Sequence, residues 1–325
     1  MSLFFHVLLF FSVVSLSVVP AMGVGLDASS SDASDASGRL LGEIKYPKLW
    51  EVVKRLETLA QVYPDLVEMY SAQDRYGVPE PGASGCRAFE SDGVTLPVPC
   101  KPCYDEHDAA TPCKQWFVSI SNRTAGAVKW ASSSPATRDR PQVFLSGNLH
   151  GNEWIGPPTL LALAELMVGG ATGTLGQDLS PWLSRLVNTR TIVMLIVSNP
   201  YGYENRVRED FNGIDPNRDF GYDREDEQCM STTVGRAVNE DYLAHAYQVA
   251  VTFHAGMQEV SWEWGSHSAS SNHNSVCPDA VASEAMGDTM RDIAGVFNEG
   301  PYPAGIINQD IYWVYGGMED WSYAG

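Results

Sequence analysis

Apolar residues fall along the chain at characteristic spacings, and each spacing predicts an element. Leu49, Val52, Val53, Leu56, Leu59 and Ala60 recur at intervals of three and four, the stripe of an amphipathic helix, which Tyr63, Pro64 and Asp65 bring to an end. A short strand at residues 66–73 is expected to follow. Continuous apolar runs at 116–120, 142–149, 191–197 and 249–253 predict buried strands. In the third of these, six apolar residues stand in a row before Ser198, which marks a central strand covered on both faces. Helices are predicted after Gly156, Pro157 and Pro158, at 181–187 and at 239–248. Strands that alternate with helices build an α/β sheet with helices on both sides.

Three stretches depart from that pattern. Leu3 to Val19 is an almost unbroken apolar run followed by Pro20, Ala21, Met22 and Gly23, which predicts a secretory leader over residues 1–23. Left uncleaved, the same run would be a membrane anchor at the short limit for spanning a bilayer. Residues 24–45 contain DASSSDASDASG, too polar to order itself, and read as a linker or short pro-segment. From about 77 to 114 the chain is rich in Pro and Gly and holds Cys86, Cys100, Cys103 and Cys113. This insert reads as a disulfide-stapled surface excursion that decorates the fold, its pairing open.

Composition narrows the setting. The 325 residues permit one large domain, placed at 46–325, and a monomer is the expected state. Six cysteines and the Asn122–Thr124 glycosylation sequon suit the secretory pathway, extracellular or vacuolar. A net charge of −19 excludes nucleic acid as a partner and favours a basic or neutral one.

The chemistry centres on residues 143–155. An apolar run empties into a turn that carries His150 and, three residues later, Glu153, and a helix begins just beyond. Ligands of open α/β sheets bind at such strand ends. An imidazole and a carboxylate on one turn can converge on a single cation, and a third nitrogen completes a His2Glu zinc site with one position open. His254, at the end of the 249–253 run, is the candidate third ligand.

Five segments then carry a resemblance: GNLHGNEWIG, SNPYGYENRVRED, NGIDPNRDF, TFHAG and IYWVYGGMEDWSY. In order and spacing they resemble the zinc metallocarboxypeptidases of the pancreatic and regulatory type, from about Tyr46 to Gly325 apart from the cysteine-rich insert. The resemblance implies a mixed, mostly parallel central sheet with helices on both faces and one Zn2+ held by His150, Glu153 and His254. It implies further that Arg208 polarises the scissile carbonyl and that Asn217 and Arg218 clamp the substrate's terminal carboxylate. Tyr312 would cover the bound residue, and Glu319 would lie at the floor of the pocket for its side chain, where an acid favours Lys or Arg. The family's general base is a glutamate about 20 residues past the tyrosine, whereas Gly325 lies 13 residues after Tyr312. The base is therefore not matched in this sequence, and the last strand and helix are expected to be missing.

The expected activity is that of a secreted zinc exopeptidase acting on peptide and protein C-termini. Two alternatives keep the fold: a non-catalytic zinc-containing binder of C-termini, and an amidase on non-peptide substrates. The Asn217, Arg218 and Tyr312 set speaks against the amidase, because it is suited to a free α-carboxylate.

Overall fold

A computed structural model describes residues 5–11, 46–89, 95–124, 140–175, 180–222, 229–266, 276–294, 296–297 and 300–324. The linker expected at 24–45 lies outside the described residues. Eight strands form the central sheet: β1 (Phe5–Phe11), β2 (Val67–Ser71), β3 (Trp116–Ile120), β4 (Gln142–Gly147), β5 (Thr191–Leu195), β6 (Tyr247–Ala255), β7 (Glu259–Trp262) and β8 (Ala304–Ile306). Their order is β8-β7-β1-β6-β4-β5-β3-β2. The neighbours β1, β6, β4 and β5 run parallel, as do β7 and β8, while β1–β7, β5–β3 and β3–β2 are antiparallel.

Helices α1 (Leu49–Val62), α2 (Gly156–Ala171) and α3 (Ser180–Thr189) cover one face. A short helix, α4 (Pro200–Asn205), follows β5, and α5 (Thr233–Ala244) covers the second face. The period of β5 shows how the sheet is sandwiched. Ile192 and Met194 belong to the cluster that holds Leu56, Leu160 and Leu161, whereas Val193 and Leu195 belong to the one that holds Val234, Ala237 and Val238. All five residues of β5 are buried, as its unbroken apolar run requires. Burying a side chain such as Leu160 contributes about 2 kcal/mol relative to exposure. Two further helices, α6 (Ala280–Ala294) and α7 (Met318–Ala324), flank the β7 side of the sheet. Among the described residues no helix is long and apolar enough to cross a membrane.

In two regions the structure adds to the sequence-based expectations. Phe5–Phe11, inside the expected leader, is a strand between β6 and β7, with Phe10 in register with His254 on one side and Glu259 on the other. A leader's core and a sheet strand are both short continuous apolar runs, so the same pattern serves either. The cysteine-rich insert forms two hairpins, Cys86–Phe89 with Thr95–Val98 and Cys103–Tyr104 with Ala110–Thr111. Its bridges are Cys86–Cys100 and Cys103–Cys113, and Cys86, Cys103 and Cys113 are buried in the same cluster as α1 and α2. The insert is thus packed into the fold on one side, a correction to its reading as surface decoration. Cys229 and Cys277 belong to neither bridge.

Candidate functional site

The turn after β4 is shaped by Asn148, which adopts a left-handed backbone (φ 61°). Its side-chain amide donates to the carbonyls of His150, Gly151 and Glu153 at 3.0, 3.1 and 3.0 Å, so one residue fixes the path of the whole turn. Gly151 is required where this turn meets α4: a Cβ there would lie 2.2 Å from the Gly202 carbonyl carbon. The turn and α4 are therefore in backbone contact, which brings the segment after α4 against the metal-ligand pair.

His150, Glu153 and His254 converge as the sequence predicts. Nδ1 of His150 lies 2.7 Å from one Glu153 oxygen and Nδ1 of His254 lies 2.8 Å from the other. One ligand atom from each residue falls within 4.8 Å of the others. Glu153 Oε2 also accepts the Ala255 N–H at 3.0 Å, which ties the turn to the end of β6. Two imidazole nitrogens and one carboxylate are the donor set of a catalytic-type zinc site. The residues fit that metal, and the partner on the far side of His150 supports it. His150 Nε2 meets Asp215 Oδ1 at 3.1 Å, which leaves Nδ1 to face the other ligands.

Asp215 is the functional residue that sequence reasoning missed. Its Oδ1 also accepts the Asn217 N–H at 2.9 Å, and its Oδ2 accepts Arg208 Nε and Nη2 at 2.9 and 2.8 Å. One carboxylate thus holds a metal ligand, the candidate oxyanion arginine and the turn that presents Asn217 and Arg218. An Asp-Pro before a tight turn was the signal available, and it announces a cap without disclosing the other two partners.

Charge follows from these contacts. Burial opposes ionisation of Glu153, but the His254 charge and hydrogen bonds from both imidazoles outweigh it and hold the carboxyl well below the usual range. Asp215 is likewise driven well down: burial works against it, and the His150 hydrogen bond and the charges of His150, Arg208 and Arg218 prevail. Burial lowers the pKa of His254, with Glu153 offsetting part of the effect. His150 is raised, because Asp215 and Glu153 overcome its burial.

Beside this centre lie Asn217, Arg218, Tyr312 and Glu319. Asn217 Oδ1 accepts the Met318 N–H at 2.9 Å, which fixes the amide and leaves its NH2 to donate. The Arg218 guanidinium lies 5.9 Å from the centre of the Tyr312 ring and makes no salt bridge among the described residues. The ion pair with Asp219 that is the simplest structural role for Arg218 is not formed, since Asp219 binds Ser231 and Thr232. Tyr312 is half exposed at the rim. Glu319 is fully buried, and neither of its oxygens has a hydrogen-bond partner of good geometry. A Cβ on Gly317 would lie 2.0 Å from Glu319 Oε1, so this glycine makes room for the carboxylate. Burial and the adjacent Asp320 push Glu319 up to about 7, against lowering influences from its own backbone N–H, the Arg218 charge and the Asn217 amide.

The fold and site define an α/β protein with a His2Glu cluster that could hold a metal, close to Asn217 and Arg218. The sequence profile of the zinc carboxypeptidases matches residues 105–325, and the chain belongs to that family. Carboxypeptidase SOL1 of Arabidopsis thaliana is 24% identical over 220 residues, 64% of this chain and 40% of that protein. Carboxypeptidase A2 of Mus musculus is 25% identical over 234 residues, 63% of this chain and 52% of that protein. The chain thus spans 40% and 52% of these relatives' lengths. The crystal structure of the carboxypeptidase A from Helicoverpa armigera shares the fold, with a TM-score of 0.56 at 16% identity, over 86% of this chain and 61% of that one.

Proposed function

We propose that the protein is an exopeptidase that removes the last residue of peptides and proteins, with a preference for C-terminal Lys or Arg. One observation carries the reading: beside the His2Glu cluster, the half-buried Arg218 has no salt-bridge partner among the described residues and stands with Asn217 and Tyr312. A guanidinium in that setting is a ready bidentate partner for a carboxylate.

In this reading His150, Glu153 and His254 hold one zinc, which supplies Lewis acidity and activates water when bound. Asn217 and Arg218 receive the terminal α-carboxylate, and Tyr312 closes over the last residue. Arg208 turns from Asp215 toward the scissile carbonyl oxygen, where its charge counts most as negative charge develops; removing such a donor costs about 10²–10³ in rate. Glu319, buried without a counter-ion, is matched by the cationic end of Lys or Arg. The proton acceptor is left unassigned. A polypeptide that supplies the family's glutamate is proposed to cleave, whereas the site without it binds C-termini and cleaves roughly 10²–10⁴ more slowly. The two disulfides support an oxidising compartment and thus the secretory route.

The test is a peptide ending in Arg against its C-terminal amide, assayed with the purified native protein. The acid is expected to be cleaved and the amide spared, and Arg218→Ala should erase the distinction. Equal handling of both by the wild type would end the exopeptidase reading. Metal analysis should find close to one zinc per chain, and undiminished zinc in His254→Ala would remove His254 from the ligand set.

A further inference from the structure

The insert's hairpins touch the segment that delivers Arg208. The Arg87 N–H donates to the Phe211 carbonyl at 2.7 Å, and Cys103 Sγ lies 3.6 Å from the Pro200 carbonyl at the start of α4. Cys86, Cys103, Cys113, Tyr201, Tyr203 and Phe211 are all buried and belong to one apolar cluster, with the rings of Tyr201 and Phe211 edge to face at 6.4 Å. Phe211 sits on a turn closed by Asp210, whose Oδ1 accepts the N–H groups of Asn212 and Ile214 at 2.8 and 3.2 Å. On one side of that turn is Arg208, whose carbonyl accepts from Gly151 at 3.1 Å and from the Asn199 amide at 3.3 Å. On the other is Asp215, which grips the Arg208 guanidinium.

The segment 199–215 is therefore clamped between two bodies. The metal-ligand turn holds it through Gly151, and the insert holds it through Arg87 and Cys103. Phe211 is the apolar anchor between them. A loop with few hydrogen bonds and no such anchor would sample many positions, and an oxyanion donor contributes only when it is held in place.

We propose that the disulfide-stapled insert is a positioning element for Arg208, acting through Phe211. Its catalytic consequence rests on the exopeptidase reading, whereas its structural consequence does not.

Amide hydrogen exchange of the full chain tests the structural part. In Cys103→Ala/Cys113→Ala, and separately in Arg87→Pro, which deletes the N–H that reaches Phe211, exchange across 199–215 should quicken at least roughly tenfold. The β6 amides should keep their protection and the zinc content should not change. Unchanged exchange in 199–215 would overturn the proposal, and so would an equal loss throughout the sheet, which is the mark of a general staple. The kinetic part uses a peptide ending in Arg: Phe211→Leu and Arg87→Pro should lower kcat about tenfold with little change in KM. In an Arg208→Ala background they should have no further effect, because residues that act through one group are non-additive. Additive losses would overturn it. Should the wild type cleave no peptide, the exopeptidase reading fails, and the exchange result alone decides the role of the insert.

Discussion

Glu153 and Asp215, which are partly buried, and Glu319 and Glu259, which are buried, are carboxylates with opposite surroundings. The first two are met by imidazoles and by the Arg208 guanidinium, and both ionise more readily than in water. The second two form no salt bridge among the described residues, although the Arg218 charge acts on Glu319. Burial pushes each to about 7, aided by Asp320 at Glu319 and by Asp310 at Glu259. Withdrawal from water pushes the pKa of all four upward, so it does not by itself explain their difference. What differs is whether the fold supplies the counter-charge or leaves it to a ligand. The paired carboxylates hold His150, His254 and Arg208 in place, and Glu319 keeps a desolvation cost that, under the proposed function, a cationic side chain would remove.

The comparison can be broken at its paired end first. Asp215→Ala removes the support of His150, Arg208 and the Asn217 turn together, and kcat/KM for a peptide ending in Arg should fall on the order of a thousandfold, with zinc affinity down about 10–100-fold by chelator competition. A variant that kept both would show that the shared carboxylate is dispensable. At the unpaired end, Glu319→Gln preserves shape and removes the charge. The ratio of kcat/KM for C-terminal Arg over C-terminal Leu should drop about a hundredfold, equivalent to ~3 kcal/mol for a desolvated ion pair. An unchanged ratio would assign the carboxylate no part in selection.

The smallest effect concerns pH. The folded pKa of Glu319 is raised from 4.5 to about 7, so the folded state binds the proton more tightly than the unfolded chain. Stability in the absence of substrate should therefore fall as pH rises through that window, by ~2 kcal/mol between pH 5 and 7 from this group. Urea midpoints of the wild type and Glu319→Gln across that range isolate the contribution. Parallel curves would mean that Glu319 finds a counter-charge in solution. Glu153 and Asp215 have the opposite sign: their contribution is present above the ordinary carboxylate range and is lost as pH falls through their lowered folded values.

Much of the metal centre was legible because its residues announce themselves locally. His150 and Glu153 share one turn, and His254 ends an apolar run, so strand ends alone predict their meeting. The both-sided burial of β5 could be read from its six apolar residues. Asp215 could not be read in the same way, since its three partners lie 7 and 65 residues before it and 2 after it, and only the fold brings them to one carboxylate. Nor could the acid face of β7. Glu259, Ser261 and Glu263 alternate with Val260 and Trp262 as in a half-exposed strand, yet all are buried, because polar positions at period two usually mark solvent and here mark the interior. The insert was visible as a cysteine cluster, but its contact with Phe211 is a tertiary fact with no local pattern.

The seat of β1 also bears on how firmly the strand that carries His254 is held. A strand between β6 and β7 is hydrogen-bonded on both flanks and runs directly beside His254. Without Phe5–Phe11, β6 and β7 would lose their shared neighbour and each would present a bare row of backbone donors and acceptors. The strand that ends in His254 would then lose the hydrogen bonds on one of its flanks, so Phe5–Phe11 is part of what holds that residue in place.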